Sequence, residues 1–176
     1  MQEEHLFMSD VLILNADAQP ISFLPLSAVQ WKEAITYMWL DKCTVLDWYD
    51  DWVVRSESWE TRVPSVIILK DYMRRRRNPR FSKANLYIRD EYTCQYCNTP
   101  YAKSNLTLDH VKPLSLGGNT SWENIVAACG PCNTRKGNKL HMKPIVQPYR
   151  PDYYELVAKR KKLGFDVRHK SWLAYL

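Results

Sequence analysis

Two cysteine pairs, Cys94-x-x-Cys97 and Cys129-x-x-Cys132, frame an Asp-His dipeptide, Asp109-His110, and an asparagine, Asn124. A second asparagine, Asn133, directly follows the last cysteine. Each C-x-x-C pair fits one tight turn and can present two thiolates to a single ion. Four thiolates together close the tetrahedral shell of a structural zinc site. The spacer between the pairs is 31 residues, longer than a simple zinc ribbon uses, and it holds Asp109, His110 and Asn124. A closed thiolate site with hard oxygen ligands and a histidine packed against it points beyond a structural staple.

Two simpler readings stand beside this one. Cys129-Gly130-Pro131-Cys132 is also the dithiol sequence of thioredoxin-like redox proteins. The partner pair at Cys94 and Cys97, and the lack of a thioredoxin-like βαβ layout, argue against redox chemistry. His110 alone would be weak evidence, because a lone histidine is more often structural. If Leu106 to Val111 is a strand, alternation sends Asp109 and His110 to opposite faces. They address one site only if the strand ends there, and Pro113 with the Gly117-Gly118 turn supplies such an ending.

The elements that must position these residues can be sketched from periodicity. Val11-Leu12-Ile13-Leu14 reads as a short buried strand. Ser27 followed by Gln30 is a capping-box signal, predicting a helix through Val29, Trp31, Ala34, Ile35, Met38 and Trp39. Lys42 to Trp48 and Trp52 to Arg55 read as a hairpin turning at Tyr49-Asp50-Asp51. Val63 to Leu69 is a further strand, which Pro64 places near a sheet edge. Ser82 to Asp90 predicts a short helix leading into the first cysteine pair. Asp152 caps a helix stopped by Gly164, and Trp172, Leu173 and Leu176 form a tail that docks back. Three segments follow. Residues 1–78 form a small α+β module ending in an Arg-rich linker, 79–145 the metal-bearing domain, and 146–176 a C-terminal extended segment and helix.

Charge is divided unevenly. Residues 1–70 hold 5 basic and 11 acidic side chains, a net −6, whereas 71–176 hold 20 and 8, a net +12. A basic half around the candidate site fits a polyanion, nucleic acid first. The run Arg74-Arg75-Arg76-Arg77 leading into that half reads as a phosphate-contacting arm, with a solvated linker as the alternative. The acidic front module offers a surface for a protein partner. No stretch approaches the ~20 apolar residues of a membrane span, and the acidic first ten residues are unlike a secretion signal. The expected location is therefore the cytoplasm, bacterial or that of a phage host. Cys43, in an apolar run, reads as a core residue.

Over roughly Arg80 to Met142 the chain resembles the HNH endonucleases, whose core is the ββα-metal or His-Me finger motif. The matching signature is Cys94-x-x-Cys97, Asp109-His110, Asn124, Cys129-x-x-Cys132, Asn133 and Lys136. The resemblance implies an α+β fold, with a ββα-metal core and a four-cysteine zinc site behind the small α+β module. It implies a metal-dependent DNA endonuclease of the stand-alone bacterial or phage kind. His110 would be the general base, and Asp109 and Asn133 would hold one divalent ion. Asn124 would fix the loop and orient the imidazole. Arg135, Lys136 and Lys139 would serve DNA binding together with the arginine run, and products would carry 5′-phosphate and 3′-hydroxyl ends. The third letter is Asn133 where many relatives have His. Hard oxygens suit Mg²⁺ or Mn²⁺, so structural Zn²⁺ and a catalytic Mg²⁺ or Mn²⁺ are the implied cofactors. The front module, with Leu14-Asn15, Pro20 and the segment Ser27 to Ala34, is similar to one found ahead of HNH units in some bacterial and phage proteins. The competing readings are a non-catalytic zinc-dependent nucleic-acid-binding module and a protein-interaction adaptor using the acidic front.

Overall fold

A computed structural model describes residues 10–75 and 77–176 of the chain. It divides into two compact units. The first is Met1–Arg76 with Phe165–Leu176, and the second is Arg77–Gly164. The expected C-terminal segment, 146–176, is thus shared out: the helix after Asp152 belongs to the second unit and the tail to the first.

The first unit is built on a four-stranded sheet. Its strands are β1 (Asp10–Leu14), β2 (Ala28–Gln30), β3 (Cys43–Arg55) and β4 (Glu60–Leu69), in the order β2-β1-β4-β3. β1 runs parallel to β4, pairing Leu12 with Val66, while β2 and β3 run antiparallel to their neighbours. The unbroken apolar run of β1 reflects burial on both faces. Val11 and Ile13 pack with Ala34, Cys43, Val63 and Ile67, on the side of helix α1 (Trp31–Trp39). Leu12 and Leu14 pack with Val66 and Trp172. Trp172 is the anchor of the tail, its indole nitrogen donating to the Ser65 carbonyl at 2.8 Å; Leu173, by contrast, is exposed.

Three local expectations are corrected here. Ser27 does not cap α1: its hydroxyl donates to the Ile13 carbonyl at 2.9 Å, Gln30 is the N-cap without a side-chain bond, and 28–30 pair with β1. There is no hairpin at Tyr49-Asp50-Asp51. β3 runs on through it, with register shifts against β4 between Val45 and Val53, and the chain reverses after Arg55, where Ser56 N–H meets the Trp59 carbonyl at 2.7 Å. Pro64 is not near an edge, for β4 lies between β1 and β3. The proline is tolerated because it sits opposite Trp48, where the register is broken and a missing N–H matters least.

The second unit carries the candidate site. Strands β5 (Leu106–His110) and β6 (Ile125–Cys129) pair antiparallel, from Leu106 opposite Cys129 to His110 opposite Ile125. Helix α3 (Gly130–Lys136) follows β6 without a break, its start set by Pro131. Helix α2 (Lys83–Arg89) opens at Ser82, whose hydroxyl accepts from Asn85 N–H at 3.2 Å. Helix α4 (Tyr153–Leu163) opens at Asp152, which accepts from Glu155 N–H at 2.9 Å, and closes at Gly164 with φ 79°. Arg89 is buried and binds these pieces together. Its guanidinium grips Asp90 and donates to the carbonyls of Trp122, Ile125 and Tyr149 at 2.7, 2.7 and 2.9 Å. Among the described residues no helix is long and apolar enough to cross a membrane.

Candidate active site

The four cysteines converge. One sulfur from each of Cys94, Cys97, Cys129 and Cys132 lies within 4.8 Å of the others, and Zn–S bonds of ~2.3 Å in a tetrahedron require sulfurs ~3.8 Å apart. The first pair sits on a knuckle closed by Cys94 N–H to the Thr99 carbonyl and Asn98 N–H to the Cys94 carbonyl, both 2.9 Å, with Asn98 at φ 56°. The second pair straddles the start of α3. Hydrogen bonding from Thr99 holds the Cys97 thiol down to about 6, while desolvation pushes Cys132 up to about 12. Crowded thiolates of this kind are unfavourable until a cation joins them, and the donor set fits zinc.

Beside the cluster, β5 ends at His110. Asp109, His110 and Asn133 line one cleft of about 310 Å³ with Leu108, Pro113, Leu114, Ser115, Gly137 and Asn138. His110 is the last residue of β5, so the strand does end where the alternation argument required. Asp109 is 5% exposed. Its carboxylate receives the hydroxyl of Tyr96, from the middle of the first knuckle, and the ammonium of Lys136 at 3.1 and 3.0 Å. The Asn133 amide nitrogen donates to the Thr107 hydroxyl at 2.9 Å and the Leu108 carbonyl at 3.3 Å. Neither bond uses its side-chain oxygen.

Asn124 is buried and pins the loop after β5. It accepts from Lys112 N–H at 2.8 Å and donates to the carbonyls of Lys112 and Asn119 at 3.0 and 2.7 Å. The same loop needs Gly118, since a β-carbon there would fall 1.9 Å from the Lys112 carbonyl oxygen. Asn124 does not reach the imidazole itself. Thr120 does, its hydroxyl lying 2.9 Å from His110 Nε2.

The DNA-binding expectations divide. Lys136 is corrected: it is fully buried, with its ammonium on Asp109 and on the His110 carbonyl at 2.7 Å, so it is not a surface phosphate contact. Arg75 is corrected too. Its fork is engaged by Asp17 at 2.6 and 2.5 Å and by the carbonyls of Gln19 and Pro20. That bond pulls the Asp17 carboxyl below its usual range. Arg76 lies outside the described residues. Arg74, Arg77, Arg135 and Lys139 are exposed. Arg77 lies over the Tyr154 ring at 5.9 Å, and Arg135 leans on the Cys132 sulfur at 3.6 Å. Tyr96 and Thr120 were the residues missed. Tyr96 carried a faint signal, as a long hydroxyl-bearing side chain inside a metal knuckle, and Thr120 carried none.

A β-β-α unit whose helix opens on the second pair of a four-cysteine cluster defines a domain of the HNH type. Comparison with known proteins agrees. Residues 94–147 match the HNH endonuclease family, and residues 11–77 match the HNH endonuclease-associated N-terminal domain. A stretch of 51 residues is 43% identical to the CRISPR-associated endonuclease Cas9 of Corynebacterium diphtheriae, covering 28% of this chain and 5% of that protein. The chain thus carries an HNH endonuclease domain preceded by an HNH endonuclease-associated N-terminal domain.

Proposed function

We propose that this chain is a metal-dependent DNA endonuclease in which His110 is the general base and Asp109 and Asn133 hold one divalent ion. The observation that carries the reading is that these three residues line one cleft, with Asn133 next to Cys132 of the cysteine cluster. In the tautomer whose Nε2–H donates to the Thr120 hydroxyl, the lone pair on Nδ1 is available to take a proton from water. Thr120 then fixes the ring so that the lone pair keeps one direction. Asn124 holds the 112–119 loop rigid along the rim, which keeps Pro113 and Leu114 against the cleft.

Asp109 and the Asn133 carbonyl form a hard, two-oxygen donor set suited to Mg²⁺ or Mn²⁺, with water and a DNA phosphate left to complete the shell. A bound ion there supplies charge neutralisation on the phosphate and on the leaving oxygen. The four cysteines are the ligands for structural zinc, and Asn133, next to Cys132 on α3, takes its position from that cluster. Exposed Arg135, Lys139, Arg77 and Arg74 supply contacts to the DNA backbone.

Incubation of supercoiled plasmid with Mg²⁺ or Mn²⁺ tests the reading. The protein should yield relaxed or linear product, and His110→Ala should lower the rate by ~10²–10⁴-fold while zinc content and DNA affinity hold. A His110→Ala protein that cuts at the unaltered rate would remove His110 from the mechanism.

A further inference from the structure

Lys136 is the least exposed cation of the site, at 0%, and both oxygens of Asp109 rest on its ammonium at 3.1 and 3.0 Å. A lysine is almost never fully buried unless its charge is matched. Here the matching charge is the same carboxylate that the proposed function gives to the divalent ion. The ammonium cannot easily swing away, because it also donates to the His110 carbonyl at 2.7 Å from the last turn of α3. The Tyr96 hydroxyl also donates to the carboxylate.

We propose that Lys136 is a resident counter-cation: it keeps Asp109 in place when no divalent ion is bound, and it makes ion binding depend on the phosphate of bound DNA. The inference rests on the reading of Asp109 as an ion ligand. The Lys136–Asp109 pair is electrically balanced by itself. A divalent ion added to Asp109 and the neutral Asn133 leaves two uncompensated positive charges beside an immobile ammonium. At an effective dielectric of ~20, a unit charge a few ångströms away is worth several times RT. A DNA phosphate brings the negative charge that relieves this repulsion. Ion and DNA then strengthen each other's binding by the same factor, and Lys136 is a positioning residue, not a phosphate contact.

The test uses the full-length, zinc-loaded chain in a His110→Ala background, so that DNA stays intact, and follows free Mn²⁺ by electron paramagnetic resonance. Without DNA, Lys136→Met should bind Mn²⁺ at least about tenfold tighter than the protein with Lys136. Adding a short duplex should raise Mn²⁺ affinity strongly when Lys136 is present and by correspondingly less in Lys136→Met. Unchanged or weaker DNA-free binding, with zinc content and melting temperature preserved, overturns the proposal. If Lys136→Met loses its zinc or its fold, the protein that retains Lys136 still decides, since Mn²⁺ affinity independent of DNA overturns the proposal without any variant. Asp109→Ala separates the two readings. Mn²⁺ binding that survives this substitution defeats Asp109 as a ligand, whereas Mn²⁺ binding that requires Asp109 but ignores Lys136 defeats only the counter-cation.

Discussion

Asn133 illustrates how much one side chain's surroundings constrain its chemistry. Its amide nitrogen is committed to Thr107 and Leu108, which leaves a neutral, hard oxygen at the cleft. Such an oxygen gives little advantage to the later transition metals. Replacing Asn133 with His would put an imidazole nitrogen there, and imidazole favours Ni²⁺ and Co²⁺ over Mg²⁺. Asn133→His should therefore move the ion preference of cleavage toward Ni²⁺ or Co²⁺. The lost bond to Thr107 should lower stability by roughly 1 kcal/mol. Cleavage rates across a series of ions check the first effect and a denaturant titration the second. An unchanged ion order would take Asn133 out of the ion's shell. The residue types and spacing made this site legible in outline, because the Asp-His, Asn and Asn letters stand at fixed offsets from cysteines. The partner of each letter was not legible. Lys136 looks in sequence like any basic residue at the end of a short helix, and only the close packing of α3 on β5 turns it inward.

At the level of elements, the cleft depends on β6 and the loops beside it staying put, and Arg89 is what holds them. Its guanidinium lies over the rings of Trp122 and Tyr149, 5.7 and 5.6 Å from their centroids, while Asp90 accepts from Ala127 N–H of β6 at 2.7 Å. Arg89→Met would leave the Asp90 carboxylate buried without its counter-charge and take the guanidinium donor from three carbonyls. Loss of one partner of a buried pair costs about 3–5 kcal/mol. The midpoint of denaturant unfolding should fall accordingly, and a surface-like loss below about 1 kcal/mol would show the clamp to be dispensable. None of this is visible in Arg89-Asp90 as a dipeptide, since adjacent opposite charges are commonplace. The same limit explains the errors in the front module. Tyr49-Asp50-Asp51 has turn-like composition, but pairing with β4 carries β3 straight through it with the ladder slipped. Ser27 has capping chemistry, but its hydroxyl is taken by β1. Where a signal was local, as at Ser82, Asp152 and Gly164, the element appeared as expected.

On the scale of the whole molecule, the two units are held by different physics. The sheet unit has apolar clusters on both faces of β1, closed by Trp172 from the tail. The second unit gathers Cys94, Ala128, Cys129 and Cys132 with Tyr96, Tyr101 and Met142 into one of its cores, so a cysteine cluster suited to a metal occupies a place that larger apolar side chains would otherwise fill. Structural zinc in such a cluster contributes on the order of 10 kcal/mol of folding free energy, comparable with the whole stability of a small domain. Stripping the zinc with a thiol-reactive mercurial should therefore unfold Arg77–Gly164 and leave the sheet unit folded. Amide hydrogen exchange distinguishes the two. Protection should vanish across 106–110 and 125–136 while it persists across 11–14 and 63–69. Brief EDTA treatment should do something different, stopping cleavage without loss of zinc or of protection, because a two-oxygen ion site exchanges far faster than four thiolates. Equal loss of protection in both units on zinc removal would mean that the sheet unit does not stand on its own apolar core. Retention of protection in both would mean that the cysteine cluster is not what holds the second unit together.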